Sequence, residues 1–395
     1  MNRIFVTGIG VISPIGTSAK ANRHALQEGK SGISKLEQFP SRYAELIPFG
    51  EVKIGTEQLR EKLQAYEPSL TRTTLLALHA FEEAIQDSGL KMSDVSSYDT
   101  ALVGASTVGG MCLTDELYQD ANLLSTGSPY LASYDSASVF LHLQSKYGIA
   151  GVVNTINTAC SSSANAIAFG AKLIRHGFAK RAIVGGADSL AKFTINGFNS
   201  LMILSPDHCT PFDKDRKGLN LGEGAAFLVL EKEEDCAHKK IYAELSGYSN
   251  TNDAFHPSSL SDTGDGPYLA MKDALSRAQL APAEIDYINA HGTGTENNDL
   301  IESRAILSLF GHQTPFSSTK ANIGHTLGAA SAIEAVYCIL NLDHHELYPG
   351  IRFHHPIEET GLTPVLAYTQ RPIRHVMSNS FGFGGNCSSL IFSKA

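Results

Sequence analysis

The sequence of 395 residues predicts an α/β fold, and three observations carry that reading. Runs of β-branched and small apolar residues alternate with amphipathic helical patterns from end to end. Hydrophobic residues make up 43% and charged residues 18%, a balance that suits a globular chain with one large core or two domains. A charged stretch near residue 231, "EKEEDCAHKK", reads as a surface crossing between two series of such elements.

The elements follow in order. "RIFVTGIGVI" alternates like a first strand, and "SAKANRHALQEGKSGI" follows it as a helix. "RTTLLALHAFEEAIQDSGL" has the apolar spacing of an amphipathic helix with a glycine stop, ahead of the strand "DTALVGAS". A central unit then runs from the apolar "GIAGVVNTI" through Cys160 into a helix with Ala164, Ile167, Ala168, Ala171 and Ile174 at helical spacing. That pattern places Cys160 where a buried strand turns into a buried helix. Another strand follows at "KRAIVGGADS". The second series holds "IYAELSGYSN", the helix "PYLAMKDALSRAQL", the strand "IDYINAHGTGT", the helix "NDLIESRAILSLFG" and a closing strand pair near "VMSNSFGFGGNCSSLIFS". The two series share an order of elements, but their letters show no direct repeat.

Composition narrows the function. Net charge is −9, which argues against nucleic acid as the main partner. The six cysteines form no C-x-x-C pair, so neither a zinc knuckle nor a disulfide scaffold is suggested. The opening residues lack the apolar core of a secretory signal, and no run has the length of a membrane span. The expectation is a reduced cytoplasmic protein without membrane insertion.

Four stretches have residues suited to chemistry. Cys160, in "NTACSSSANA", sits among small residues at a predicted helix start, where N–H groups and the helix dipole favour a thiolate. A buried cysteine is also ordinary packing material. In "NAHGTGTENNDLIES", His291 projects from a strand end, flanked by Thr293 and Thr295; such a histidine can equally cap a carbonyl. In "SSTKANIGHTLGAASAIEA", Lys320 and His325 bracket a glycine turn before a small-residue helix with Glu334. A Lys320–Glu334 structural bridge is the plainer reading there. In "NSFGFGGNCSS", glycines alternate with Phe381 and Phe383, leaving backbone N–H groups free to face a ligand. Together these are the parts of carbon–carbon bond formation on thioesters: a nucleophile, two neutral hydrogen-bond donors and an oxyanion loop.

"NTACSSSANAI", "PFDKDRKGLNLGEGAA", "NAHGTGTENND", "SSTKANIGHTLGAA" and "SNSFGFGGNCSSLIF" resemble, in order, the blocks of the elongating β-ketoacyl-acyl carrier protein synthases of the thiolase superfamily. With "VTGIGVISPIG" the resemblance covers essentially the whole chain. It implies a thiolase-like, five-layered α-β-α-β-α fold. Residues 1–240 would form a half with the nucleophile and the dimer interface, and 241–395 a half with the histidines and the oxyanion loop. It implies that Cys160 takes an acyl group from acyl carrier protein, with backbone N–H groups of Cys160 and Phe383 as oxyanion hole. His291 and His325 would bind the malonyl thioester carbonyl, and Lys320 with Glu334 would orient them. Asp299 and Glu302 match supporting acidic positions, and Thr293 and Thr295 match positions that touch the phosphopantetheine arm. Phe381 and Phe383 match the substrate-side aromatics, Phe383 as the gate of the acyl pocket, while "STVGGM" at 106–111 matches the pocket floor. No cofactor and no metal are implied, and the histidine-rich "LDHHELYPGIRFHHP" reads as a surface and strand segment.

Departures from the family pattern are equally specific. "GGTN" is replaced by "GGNC", with Asn386 and Cys387. "LSPDHCTPFDKD" is short, and "YEPSLTRTT" offers Arg72 alone where the family is often strongly basic, which puts carrier docking in question. A coenzyme A thiolase would use a second cysteine and lack the lysine block. An initiating synthase would have Asn at His325, and a chain-length factor would lack Cys160. The expectation is therefore a catalytic subunit, as a homodimer or beside a chain-length-factor-like paralogue, serving fatty-acid elongation or a dedicated polyene or polyketide pathway.

Overall fold

The computed structural model describes residues 3–128 and 130–395. Ten strands form one mixed sheet: β1 (Ile4–Ile12), β2 (Thr100–Ala105), β3 (Val153–Ile156), β4 (Arg181–Asp188), β5 (Gly224–Lys232), β6 (Ala243–Asn252), β7 (Tyr287–Asn289), β8 (Phe316–Ser317), β9 (His375–Phe381) and β10 (Asn386–Ser393). Their order across the sheet is β8-β7-β9-β10-β6-β1-β5-β4-β2-β3. The first five strands thus run 3-2-4-5-1, and the last five repeat that order. Each set has two parallel neighbours followed by two antiparallel ones. A repeat that the letters hide is explicit in the topology, because a topology constrains hydrophobic pattern rather than residue identity.

The two sets meet at a short seam, where Phe5 pairs with Glu244 and Val6 with Ala243. Five helices complete the architecture: α1 (Arg72–Ser88), α2 (Ser162–Arg175), α3 (Asp265–Ala278), α4 (Glu296–Phe310) and α5 (Ala330–His344). Helix α1 covers the outer face of β1 and β5, while α3, backed by α4, covers β6 and β10. Between the two five-stranded sets, α2 and α5 pack on each other and on strands of both. This is the expected α-β-α-β-α stack.

Composition explains the middle layer. Helix α2 is built on Ala164, Ala166, Ile167, Gly170, Ala171 and Ile174, all buried, and small residues let it sit close to two sheets. Helix α5 is buried from Ala330 through Leu342, which is what a helix enclosed on every side must be. Helix α1 starts on a Thr71 cap, whose side chain accepts from the Thr74 N–H, and stops at Gly89 with φ 67°. Among the described residues no helix is long and apolar enough to cross a membrane.

Two local expectations change. Strand β3, expected to be buried, is half-exposed because it forms the end of the sheet and pairs only with β2. Strand β1 does not alternate between buried and exposed; all nine residues are buried, since it lies mid-sheet between helical layers.

Candidate active site

Cys160 sits in a tight elbow between β3 and α2. Ala159 holds φ 54°, a left-handed conformation that costs a non-glycine residue about 1–2 kcal/mol. Hydroxyls stabilise the bend: Ser162 Oγ accepts from the Thr158 N–H at 2.9 Å and donates to the Ala159 carbonyl. From the other half, Ser331 Oγ donates to the Cys160 carbonyl at 3.1 Å, and the Ala332 N–H donates to Ser163 Oγ at 2.9 Å. Cys160 is therefore clamped by α5 as well as by its own helix.

The second half brings both histidines to the thiol. His325 Nε2 lies 3.0 Å from Cys160 Sγ, and the rings of His291 and His325 stand edge to face with centroids 5.4 Å apart. His325 is pinned by its backbone to the first half: its N–H donates to the Asn220 carbonyl at 2.7 Å, and its carbonyl accepts from Gly222 at 2.9 Å. This is the structural work of the "GLNLGEG" block. The Leu327 N–H donates to His325 Nδ1 at 3.3 Å, so the neutral ring carries its proton on Nε2, facing the thiol. His291 Nδ1 lies 3.3 Å from Lys320 Nζ, and an ammonium has only protons to offer; its Nε2 likewise carries the ring proton.

Lys320 Nζ also donates to the His291 carbonyl at 2.6 Å and to Glu334 Oε1 at 2.5 Å, with both charged side chains 1% exposed. The sequence-level bridge exists, and it is the same group that fixes the His291 ring. The two other acids hold backbone. Glu302 accepts from the His291 and Gly292 N–H groups, each at 2.8 Å, while Asp299 accepts from Gly294 and from Phe212. Gly292 is required here, because at φ +41° a Cβ would lie 2.5 Å from Ser318 Cβ.

Burial controls the protonation states. It lowers both histidines well below 6.5, with the Lys320 charge acting in the same direction, so both rings are neutral donors at neutral pH. Burial pushes Glu302 up to about 7 against the two N–H groups that favour its anion. It also pushes the Cys160 thiol up to about 11. That reverses the sequence expectation of a thiol acidified by a helix start. Lys320 and the N–H groups of Phe383 and Cys160 pull downward, but desolvation outweighs them.

The Phe383 and Cys160 N–H groups both favour the thiolate form of Cys160. Gly382 precedes Phe383 because a Cβ there would lie 2.8 Å from the Thr158 carbonyl and 3.2 Å from the Cys160 nitrogen. Cys160, His291 and His325 line a cavity of about 440 Å³ that reaches the surface beside Met202 and Lys217. Thr293 and Thr295, whose hydroxyls are 2.9 Å apart, line it with Phe381 and Phe383. The Phe383 ring stacks on Phe198 at 5.8 Å. The 106–111 loop adds no lining residue among those described; Val108 and Met111 pack with Ile195, Phe198 and Leu327 next to the cavity.

The ligating atoms of Cys160, His291 and His325 lie within 4.8 Å of one another, a spacing a soft metal ion tolerates. The tautomers oppose that use, since Leu327 and Lys320 occupy both Nδ1 positions and turn N–H groups, not lone pairs, toward the cavity. Arg72 is also not a docking charge: its guanidinium is buried on Glu223 at 2.6 Å. Sequence reasoning missed Leu327, Ser331 and Arg216, the last donating to the Thr295 and Glu296 carbonyls from inside "PFDKDRKG". Nothing within that block indicates which carbonyls the arginine meets.

The layering and the thiol–imidazole geometry define a thiolase-like condensing acyltransferase. Residues 1–236 match the family described as "Beta-ketoacyl synthase, N-terminal domain", and residues 242–354 match "Beta-ketoacyl synthase, C-terminal domain". The 3-oxoacyl-[acyl-carrier-protein] synthase 2 of Rhizobium meliloti is 34% identical, over 100% of this chain and 99% of the relative. Among solved structures, the ishigamide ketosynthase/chain length factor aligns with a TM-score of 0.92 and 29% identity, over 100% of this chain and 99% of that one. A type II PKS acyl-carrier protein in complex with its ketosynthase aligns at 0.90 and 28%, over 100% of both chains. The chain belongs to the beta-ketoacyl synthase family.

Proposed function

We propose that the chain condenses an acyl group held on Cys160 with malonyl-acyl carrier protein, releasing carbon dioxide and giving 3-oxoacyl-acyl carrier protein. The observation that carries this reading is the thiol 3.0 Å from a neutral His325, beside a second neutral imidazole held by Lys320. Cys160 Sγ attacks the acyl thioester; the carrier sulfur leaves and takes the thiol proton. The Cys160 and Phe383 N–H groups meet the charge on the tetrahedral oxygen. The malonyl thioester carbonyl then accepts from the Nε2–H groups of His291 and His325. As the carboxyl carbon leaves as carbon dioxide, its bonding pair forms an enolate whose oxygen those donors stabilise. The enolate carbon bonds to the acyl carbon and Sγ departs as a thiolate, which takes a proton from solvent to restore the thiol, leaving a chain two carbons longer.

Every role in that sequence belongs to a residue of the chain or to the substrates, which arrive on the phosphopantetheine arm; the reading invokes no cofactor and no metal. Thr293 and Thr295 line the arm's path, Phe381 and Phe383 flank the acyl group, and Asp299 and Glu302 hold the His291 turn. The functional halves are 1–240 and 241–395, with pairing to a second chain through the first, in the cytoplasm. A chain-length-factor-like paralogue as that second chain is supported by the likeness to a solved ketosynthase/chain length factor; a homodimer is the other outcome of a native mass measurement. The direct test is peptide mass spectrometry after incubation with an acyl-carrier protein thioester. The acyl mass is expected on the Cys160 peptide, and a label elsewhere overturns the mechanism.

A further inference from the structure

We infer that Asn386 is a positioning residue that sets the oxyanion hole by tying the Phe383 turn to the Cys160 elbow. The inference rests on the condensing reading and deepens it. The two N–H groups of the hole come from different halves of the molecule, so their spacing depends on what joins those halves locally. The Phe383 ring stacks on Phe198, but the turn's other hydrogen bonds among the described residues stay in its own half: the Gly384 N–H donates to the Pro257 carbonyl at 2.7 Å, and the Gly385 carbonyl accepts from the Asp253 N–H at 2.8 Å. Asn252 Nδ2 adds a bond to the Gly384 carbonyl.

Asn386 closes this turn and also leaves it. Its carbonyl accepts from the Gly382 N–H at 2.8 Å. Its side-chain Oδ1 accepts from Ser161 Oγ at 2.7 Å, from Asn165 Nδ2 at 2.9 Å and from Asn250 Nδ2 at 2.7 Å. Ser161 follows the nucleophile directly, and Asn165 lies one helical turn further along α2. Among the described residues, every hydrogen bond between the Gly382–Asn386 turn and the elbow runs through this one oxygen. Asn165 Nδ2 also donates to Thr158 Oγ1 at 2.8 Å, and its Oδ1 accepts from Ser388 Oγ at 3.0 Å, so this donor is itself held from two sides. Asn386 is one of the two positions where this chain departs from "GGTN", which makes the link a property of this sequence.

Two reactions of the same sulfur separate the effect. Acyl transfer builds charge on an oxygen and needs the hole; alkylation by iodoacetamide displaces iodide and builds none. Asn386→Ala is expected to slow acylation of Cys160 by an acyl-carrier protein thioester at least about tenfold, with iodoacetamide alkylation unchanged within about twofold. Ser161→Ala, which removes the facing hydroxyl, is expected to match that loss, and the double variant to be no worse than either single one. Unchanged acylation, an equal loss in both reactions, or additive losses in the double variant each overturn the inference. A wild-type protein that is alkylated at Cys160 but never acylated overturns the condensing reading instead.

Discussion

The Cys160 elbow and the His291–Lys320–His325 cluster meet at 3.0 Å, yet they are built on opposite principles. The elbow contains no charge: small residues, serine hydroxyls and a left-handed Ala159 place one sulfur by backbone shape. The cluster is organised by a buried ion pair, whose ammonium assigns the His291 proton and lowers both rings. In the proposed mechanism one half makes and breaks the bond to the acyl carbon, and the other manages charge on the malonyl unit. Such a division keeps the ion pair out of hydrogen-bond contact with Cys160, which feels the Lys320 charge only through space.

Separate removal of the two parts gives the largest effect. Cys160→Ala is expected to lower condensation at least about 10³-fold while malonyl-carrier decarboxylation persists, measured by product mass and carbon dioxide release. His325→Ala is expected to do the reverse, keeping acylation of Cys160 and losing decarboxylation. If both variants lose both reactions equally, the division is wrong.

The ion pair allows a finer cut. Lys320→Met strands Glu334 in the core, with an expected cost of about 3–5 kcal/mol in denaturant unfolding and about a hundredfold in decarboxylation. Adding Glu334→Leu is expected to return most of the stability and none of the activity. Recovery of activity in the double variant would mean the pair is scaffold only. The smallest effect is one of pH. Since both folded-state pKa values lie below 6.5, neither ring takes a proton as pH falls through that value, so the histidines should add no inflection to condensation rates between about pH 8 and pH 6, and any inflection near pH 7 is expected from Glu302. The stability linkage has a matching sign. The unfolded histidines protonate first, so their contribution is complete above 6.5 and declines as pH falls below it.

How far the sequence carries such reasoning differs between the two regions. His291, His325, Lys320 and Glu334 are suggestive in sequence, since a histidine after a strand and a lysine in a small-residue block stand out chemically, yet each has a plain structural reading until the family blocks are joined. Cys160 in isolation looks like packing, and only the distant blocks identify it. The alternation of strand and helix patterns indicates the α/β class, and the family resemblance implies the layering, whereas the exposure of β3 depends on its being last in the sheet, which no local pattern encodes. Arg72 looks like a surface charge in "YEPSLTRTT" because its partner Glu223 lies 151 residues away. Asn386 stands out as a departure, but its three donors come from two distant segments, the start of α2 and strand β6.

The identical 3-2-4-5-1 strand order has one more consequence. Cys160 and the Lys320–His325 turn occupy the same place in their respective units, each between the third strand and the central helix that follows. A doubled chain therefore puts two equivalent corners face to face, and a difference in side chains alone turns that symmetry into a donor and an acceptor. The distance between sulfur and imidazole then gauges how the central helices are seated. A slip of about 1 Å between α2 and α5 is enough to cost a positioned reaction about a hundredfold. In this architecture the hydrophobic interior is the part that keeps the reacting atoms in register.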